Sequence, residues 1–418
     1  MKFNAFFLIL SRLFHTVRRH FRDHGLRATL ELIWQKYRRR GKGGFFSKSR
    51  VVEYYDFVRA HPVGSPIQEG FVQRATLNWV VPPWGFGSGG HLNIFRFVHH
   101  LEEEGFDCRI VVVGEPQPLS SEQARKQIND WFFPLKGEVF LGIGTAPPAH
   151  ITVATSWTTA YYVRAFQSTV HRCYFVQDFE PSFYAAGAEY AWAEETYRFG
   201  FFGITAGTWL KHKLAVEYGM QTEAFGFSFD RDLYTQRKRP ESEIRRVFFY
   251  ARPPTERRAF QMGMLVLDEV TRRMPNVQVV FAGWDISAYH VPYEHQNCGV
   301  VGLDDLPDLY CRCDVALVLS FTNLSLLPLE LMACGTPVVS NRAPCTEWLL
   351  NDDNALLASP TVEALADALC SVLEHPEEAV RLRRGGFSTA AATDWRIEAR
   401  KVGDALRRLD SKEEGMQP

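Results

Sequence analysis

Residues 320–340, SFTNLSLLPLELMACGTPVVS, constrain the fold more than any other stretch of this chain. An apolar run, Val315 to Leu319, reads as a strand and passes into a short polar turn. A helical stretch follows, Gly335 and Pro337 end it, and Val338 opens a second strand. Strand, turn, helix and strand in quick succession predict one unit of a parallel sheet covered by helices on both faces.

The same alternation recurs in both halves. From Leu77 the strands LNWVVP, CRIVVVG, EVFLGIG, ITVAT, CYFVQD and FFGITA are predicted. A helix from His91 to Glu104 puts Ile94, Phe97, Val98 and Leu101 on one face. Charge and Pro240 interrupt the pattern between Arg237 and Ser242. It resumes at RRVFFYAR, with a helix near 258–273, strands VQVVFAG, CGVVG, VALVLS, PVVS and ALLAS, and helices near 362–373 and 395–409. The chain is therefore expected to be α/β, with two Rossmann-like domains.

A length of 418 residues with 46% hydrophobic and 14% aromatic side chains suffices for two sizeable cores. The formal net charge of −1 argues against nucleic acid as a partner, but it hides an asymmetry. Residues 1–50 hold 13 Lys or Arg against Asp23 and Glu31, a net of +11, so the remainder carries −12. Within this arm Leu26, Leu30, Ile33, Trp34 and Tyr37 fall on one helical face, with Arg27, Lys36, Arg38, Arg39 and Arg40 around it. The pattern suits a helix lying on an anionic membrane, where each basic residue contributes about 1 kcal/mol. A solvated helix packed on the body of the protein is the plainer alternative. Residues 51–70, with Pro62, Gly64, Ser65 and Pro66, read as a linker.

No run reaches the ~18 apolar residues that span a bilayer. The apolar start MKFNAFFLIL is short, Arg12 ends it, and it reads as retained. The eight cysteines are scattered, and Cys311 and Cys313 lack the spacing of a zinc site, so reduced thiols of a cytoplasmic protein are expected.

Several motifs carry chemistry. Thr322, Asn323 and Ser325 are small residues able to cap a helix. Free N–H groups of Asn323, Leu324, Ser325 and Leu326 at its positive end suit a diphosphate. Glu330 would be repelled by a phosphate and is better placed to accept hydrogen bonds from sugar hydroxyls. Arg252 ends a strand and precedes Pro253, Pro254, Thr255, Glu256, Arg257 and Arg258, a stiff turn whose guanidinium groups would neutralise a diphosphate. Asp178, at the end of CYFVQD, stands where α/β enzymes keep their chemistry, and its alternative is a capping or loop residue. Gly85, Gly87 and Gly90 fit a dinucleotide fingerprint with Glu115 beyond the next strand, which keeps an NAD enzyme open. A turn containing Gly87, Gly89 and Gly90 equally admits any ligand that must approach backbone closely. The D-x-D of Asp230-Arg231-Asp232 is a metal-binding pattern but a common tripeptide, and His99 and His100 read as surface or satisfied histidines. Glu347 either caps a helix or touches the ligand.

The second half resembles the family-4 glycosyltransferases, retaining enzymes of the two-Rossmann GT-B fold. The resemblance runs through Arg252, Gly283 in FAGWD, LPDLYCRCDVALVLS, LPLELMACGTPVVS, and Glu347 in TEWLLNDDNALL. TDWRIEARKVGDAL resembles the closing helix that crosses back to the first domain, and the glycine turn, GITAGTWLKHKLAVEYG and FSFDRDLY match the N-terminal half. CYFVQDFEPSFY looks like the rhamnosyltransferases of bacterial surface polysaccharides, which implies dTDP-L-rhamnose as donor. Two positions depart from the family. The first of its two glutamates is Thr322, and its lysine after the arginine is absent, leaving Arg257 or Arg258 to substitute.

The resemblance implies two facing domains, residues 71–238 for the acceptor and 239–390 for the nucleotide sugar, with 391–418 as the crossing helix and tail. Arg252, Arg257, Arg258 and the amides of 323–326 would hold the diphosphate, with Gly87, Gly89, Gly90, Gly283 and Thr322 also at the donor. Glu330 would hold the ribose, and Asp178 would lie near the reacting carbon. No cofactor or metal is expected. The partners expected are a nucleotide sugar, a glycan or lipid-linked acceptor and, through the arm, the inner face of the cell membrane. A nucleotide-sugar epimerase and a non-catalytic sugar-binding protein remain as alternatives, and the oligomeric state is open.

Overall fold

The computed structural model describes residues 50–67, 70, 72–115, 120–238 and 242–409. All of the basic arm except Arg50 therefore lies outside the described residues, as does the tail beyond 409. Two compact units emerge, Met1–Ala60 and His61–Pro418. In the first, where a linker was expected, a short helix Val51–Tyr54 and a 3-10 turn Asp56–Arg59 form, with Arg50 paired to Glu53 at 2.9 Å.

The second unit contains two sheets, parallel throughout. The first has seven strands in the order β3-β2-β1-β4-β5-β6-β7. They are β1 Thr76–Val81, β2 Asp107–Val112, β3 Val139–Leu141, β4 Ala149–Ala154, β5 Thr169–Val176, β6 Phe202–Ala206 and β7 Thr222–Phe225. The second has six in the order β10-β9-β8-β11-β12-β13. They are β8 Arg245–Tyr250, β9 Val277–Ala282, β10 His295–Asn297, β11 Val315–Val318, β12 Val338–Asn341 and β13 Ala355–Ala358. Helices cover both faces, so β1, TLNWVV, is buried at every position, and so is β11, VALV. In each sheet the strand order reverses once, between β1 and β4 and between β8 and β11. Ligands of open α/β sheets bind in the crevice outside the carboxyl ends of strands at such a reversal.

Local departures from the sequence reading have physical reasons. CGVVG is not a strand. The edge strand is the exposed His295–Asn297, and Gly299, at φ +59°, turns the chain away with Val300 left in solvent. Ala259, at φ +47°, separates a 3-10 turn, Glu256–Arg258, from a helix that starts at Phe260. The helix after the glycine turn starts at Gly89, so Gly89 and Gly90 are its first residues and Gly87, at φ +74°, forms the turn proper.

The last helix, Trp395–Arg407, packs on the first sheet's side of the molecule. Its Glu398 Oε2 accepts from the Gly226 amide at 2.7 Å, and Arg407 Nη2 donates to the Glu104 carbonyl at 2.9 Å. The preceding helix, Pro376–Ala391, packs on the second domain instead, so the chain crosses between domains at Ala392–Asp394. Among the described residues no helix is long and apolar enough to cross a membrane.

Candidate functional site

The two reversal points supply the elements of the site. In the second sheet the turn after β11 and the loop after β8 are neighbours, because those strands pair directly. The Phe321 amide donates to the Arg257 carbonyl at 3.0 Å, and Arg258 Nη1 donates to Ser320 Oγ and, at 3.1 Å, to the Asn323 carbonyl. Asn341 at the end of β12 fixes Ser320 from the other side, accepting from its amide at 2.9 Å and donating to its carbonyl at 2.8 Å. The turn is thus a rigid shelf on the carboxyl edge.

Asp178, which follows β5 of the first sheet, sits on this shelf. Its Oδ1 accepts from the Asn323 amide at 2.7 Å and from the Phe179 amide at 2.8 Å, and its Oδ2 accepts from Thr322 Oγ1 at 3.0 Å. Arg257 Nε lies 3.4 Å from Oδ2, and its guanidinium stacks on Phe183 at 3.9 Å. Burial pushes the carboxyl above its ordinary range, opposed by Arg258, the Asn323 amide, Arg257 and the Thr322 hydroxyl. Where the resembled family carries a glutamate, this chain carries a threonine in contact with a carboxylate from the opposite domain.

The Asn323 side chain, fully buried, ties the domains together. Its Nδ2 donates to the Gln177 carbonyl at 2.9 Å and the Ala206 carbonyl at 2.8 Å, and its Oδ1 accepts from Trp348 Nε1 at 2.8 Å and from the Leu324 amide at 3.0 Å. Trp348 also lies against Gly207. That residue is at φ +82°, and a Cβ on it would stand 2.6 Å from the indole. Gln177 in turn connects to the glycine turn, donating from Nε2 to the Gly90 carbonyl at 3.1 Å and accepting from Asn93 Nδ2 at 3.3 Å. The glycine turn and Asp178, each beyond a different strand of the first sheet, are thereby joined.

This geometry corrects the expected anion site. The helix begins at Leu327, not at Ser325, and runs only to Ala333. Neither Thr322, Asn323 nor Ser325 caps it, because Leu326 holds the cap position without a side-chain bond. The Asn323 amide is taken by Asp178 and the Leu324 amide by Asn323 Oδ1, whereas the Ser325 and Leu326 amides have no protein acceptor among the described residues. Just beyond β8, the Arg252 carbonyl accepts from the Thr255 amide at 2.9 Å, while its guanidinium has no hydrogen bond or ion pair among the described residues and lies 5.8 Å over the Trp284 ring. Gly283, at φ +103°, is required by packing, since a Cβ there would meet the Tyr250 ring at 2.3 Å.

Glu330 is half-buried and turned toward Tyr310, whose hydroxyl donates to Oε2 at 3.4 Å. Burial, with Asp230 nearby, pushes its carboxyl up to about 7. Glu180, two residues after Asp178, accepts from the Trp157 amide at 2.9 Å and the Tyr174 hydroxyl at 2.8 Å, and burial pushes it up to about 7 as well. The D-x-D carboxylate Asp230 is bound at 2.9 and 3.0 Å by Nη2 of Arg96, a side chain only 1% exposed that stacks on Trp395. Arg231 donates to the carbonyls of Ala391 and Thr393. This tripeptide therefore serves the crossing of the chain. Glu347 pairs with Arg342 at 3.1 Å. Among the described residues one group, His99, His100 and Glu103, brings metal-ligand atoms within 4.8 Å; His99 Nδ1 bonds the Pro134 carbonyl and His100 Nδ1 bonds Glu103.

Comparison with known proteins agrees with this architecture. Residues 245–370 match the family WsaF, C-terminal domain, and residues 144–205 match WsaF, N-terminal domain. Solved structures superpose across both sheets. Sucrose-phosphate synthase from Thermosynechococcus elongatus has a TM-score of 0.61 at 14% identity, covering 81% of this chain and all of that one. Anabaena HepE in complex with UDP and glucose has a TM-score of 0.62 at 14% identity, covering 80% of this chain and all of that one. The fold is GT-B. Within that fold the described contacts put Asp178 on the domain of the first sheet and its seat, Thr322 and Asn323, on that of the second. In sequence the chain is 34% identical over 351 residues to the O-antigen biosynthesis protein RfbC of Myxococcus xanthus, 81% of this chain but 27% of the relative. It is 37% identical over 118 residues to a D-inositol 3-phosphate glycosyltransferase of Saccharomonospora viridis, 28% of this chain and 26% of the relative. The chain spans about a quarter of the length of these curated relatives.

Sequence reasoning put Glu180 beside Asp178 at the end of β5 but gave it no role, and it missed Trp348, Gly207 and Arg96. For those three, nothing local distinguishes the residue from an ordinary loop or helix residue.

Proposed function

We propose that the chain is a glycosyltransferase that moves a sugar from a nucleotide-diphosphate donor to a glycan or lipid-linked acceptor in surface-polysaccharide assembly. The GT-B fold and the O-antigen relative support the reaction class. The observation that carries the reading is the meeting of opposed groups at one edge. A buried carboxylate from the first sheet, Asp178, rests 2.7 to 3.0 Å from a turn of the second sheet. Beside that turn the Ser325 and Leu326 amides and the Arg252 guanidinium are left without protein acceptors among the described residues.

In this reading Arg252, Arg257 and Arg258 neutralise the diphosphate, the Ser325 and Leu326 amides bind it, and Glu330 accepts from the ribose. Gly87, Gly89 and Gly90 keep the opposing backbone free of side chains. We assign neutralisation to guanidinium groups because Arg257 and Arg258 lie beside Asp178 and Arg252 follows the same strand, whereas Asp178 itself is already bonded by Thr322, Asn323 and Phe179. The bond from the sugar carbon to the diphosphate oxygen breaks, the acceptor oxygen bonds that carbon on the same face, and the acceptor's proton passes to the departing diphosphate. Retention and the L-rhamnosyl donor rest on the family resemblance. The arm at residues 1–50 would hold the enzyme on an anionic membrane surface.

The pocket at Ser325, bounded by Tyr250, Arg258, Leu319 and Leu327, is about 10 Å³, space for one water. Ligand sites for small molecules are roughly 300–1,000 Å³. In this reading the domains part to admit the donor and close again for reaction. A thermal-shift panel of dTDP-rhamnose, UDP-glucose and GDP-mannose tests it. One member stabilises the unaltered protein, and Arg252→Ala removes that stabilisation without lowering the ligand-free melting temperature. Full protection in Arg252→Ala would refute the assignment.

A further inference from the structure

We propose that Thr322 is a positioning residue for Asp178, its hydroxyl and the neighbouring Asn323 amide seating the carboxylate of the opposite domain, and that Thr322 does not bind the donor. The inference rests on the transferase reading and deepens it. The carboxylate and its seat belong to different sheets, so they form a working unit only when the domains are together.

The geometry is specific. The Thr322 side chain is 2% exposed, and its hydroxyl is directed at Asp178 Oδ2, 3.0 Å away. The second carboxylate oxygen is held by two amides, Asn323 at 2.7 Å and Phe179 at 2.8 Å, so both oxygens have fixed directions. Behind the seat, Ser320 Oγ donates to the Thr322 carbonyl at 3.0 Å and is itself held by Arg258. A donor-binding hydroxyl would be open to the cleft. This one is enclosed and already committed.

The groups facing Asp178 are Arg257 and Arg258 from the loop after β8, Thr322 and Asn323 from the shelf, Glu180 and Tyr197 from its own domain, and the Cys345 thiol. Thr322 and Asn323 favour the ionised carboxylate, working against burial. Loss of the hydroxyl therefore displaces the carboxylate and raises its pKa.

The test uses the full chain, with nucleoside-diphosphate release from dTDP-rhamnose, UDP-glucose and GDP-mannose as readout. Thr322→Val is expected to lower kcat about ten- to a hundredfold, with donor KM changed less than about twofold. The acid limb of its kcat profile moves to higher pH, and Thr322→Ser restores both. A rise in donor KM at unchanged kcat would show that Thr322 touches the donor and would overturn the inference. A second readout needs no donor. The melting-temperature losses of Thr322→Val and Asp178→Asn are expected to be non-additive in the double variant. Additive losses would remove the seat. Turnover of no sugar nucleotide by the unaltered chain, with coupling still present, would overturn the transferase reading and with it the catalytic role of the seat.

Discussion

Replacing Asn323 by alanine tests how the two domains are held. The side chain is fully buried and makes four hydrogen bonds of 2.8 to 3.0 Å, two of them to carbonyls of the first domain. Each bond contributes about 1 kcal/mol net, and each buried N–H left without an acceptor, here Trp348 Nε1 and the Leu324 amide, costs about 1–3 kcal/mol. Counting the two donated bonds as lost and the two N–H groups as orphaned, the total is of order 4–8 kcal/mol, and a water entering the vacated space recovers part of it. For a unit of this size, a net loss of about 3–4 kcal/mol corresponds to a fall of roughly 5 °C in Tm, at about 1.4 °C per kcal/mol. Differential scanning calorimetry of the ligand-free chain reads it directly. Asn323→Asp is the informative control. It keeps both acceptor roles, loses both donations and sets a second carboxylate beside Asp178, so its defect is expected to lessen below the pH at which one of the pair protonates. A shift under about 2 °C for Asn323→Ala would refute the claim that this side chain ties the domains.

Two further outcomes follow from the charges. Glu330 has a carboxyl raised to about 7 in the folded protein from an ordinary 4.5, chiefly by burial. The folded state then binds more protons than the unfolded between these values, so this group's contribution to stability is full below about 4.5 and is lost as pH rises through about 7. Glu330→Gln removes that loss. Its urea midpoint is expected to fall less between pH 5 and pH 8 than that of the unaltered chain, by the equivalent of about 2 kcal/mol, and identical slopes would contradict the burial argument. Deleting residues 2–40 is expected to abolish co-sedimentation with phosphatidylserine-containing vesicles while leaving donor protection intact; unchanged sedimentation would remove the membrane role of the arm.

Most of the strands were legible because each is a short apolar run closed by turn residues, and burial on both faces leaves little room for polar positions. CGVVG misled for the same reason. Its valines match the pattern, but the neighbouring His295–Asn297 pairs with β9 at the sheet edge, where burial no longer selects for apolar residues. Arg252, Arg257, Arg258 and Thr322 to Leu326 were placed on the carboxyl edge by their position after strands, a local property. What each of them bonds was not local. Asp178 and Thr322 are 144 positions apart, and Asn323 and Ala206 are 117 apart.

By itself, then, the sequence determined the alternation of strands and helices, the break between two α/β halves, and which residues stand at strand ends. These follow from backbone periodicity and turn chemistry over a few residues. Only the tertiary structure decided strand order, what the last helix bonds, and the capture of the Asn323 amide by Asp178, which leaves the Ser325 and Leu326 amides as the free ones. Those outcomes depend on which surfaces come together when the two sheets pack, and no local pattern encodes a hydrogen bond between residues that meet only there.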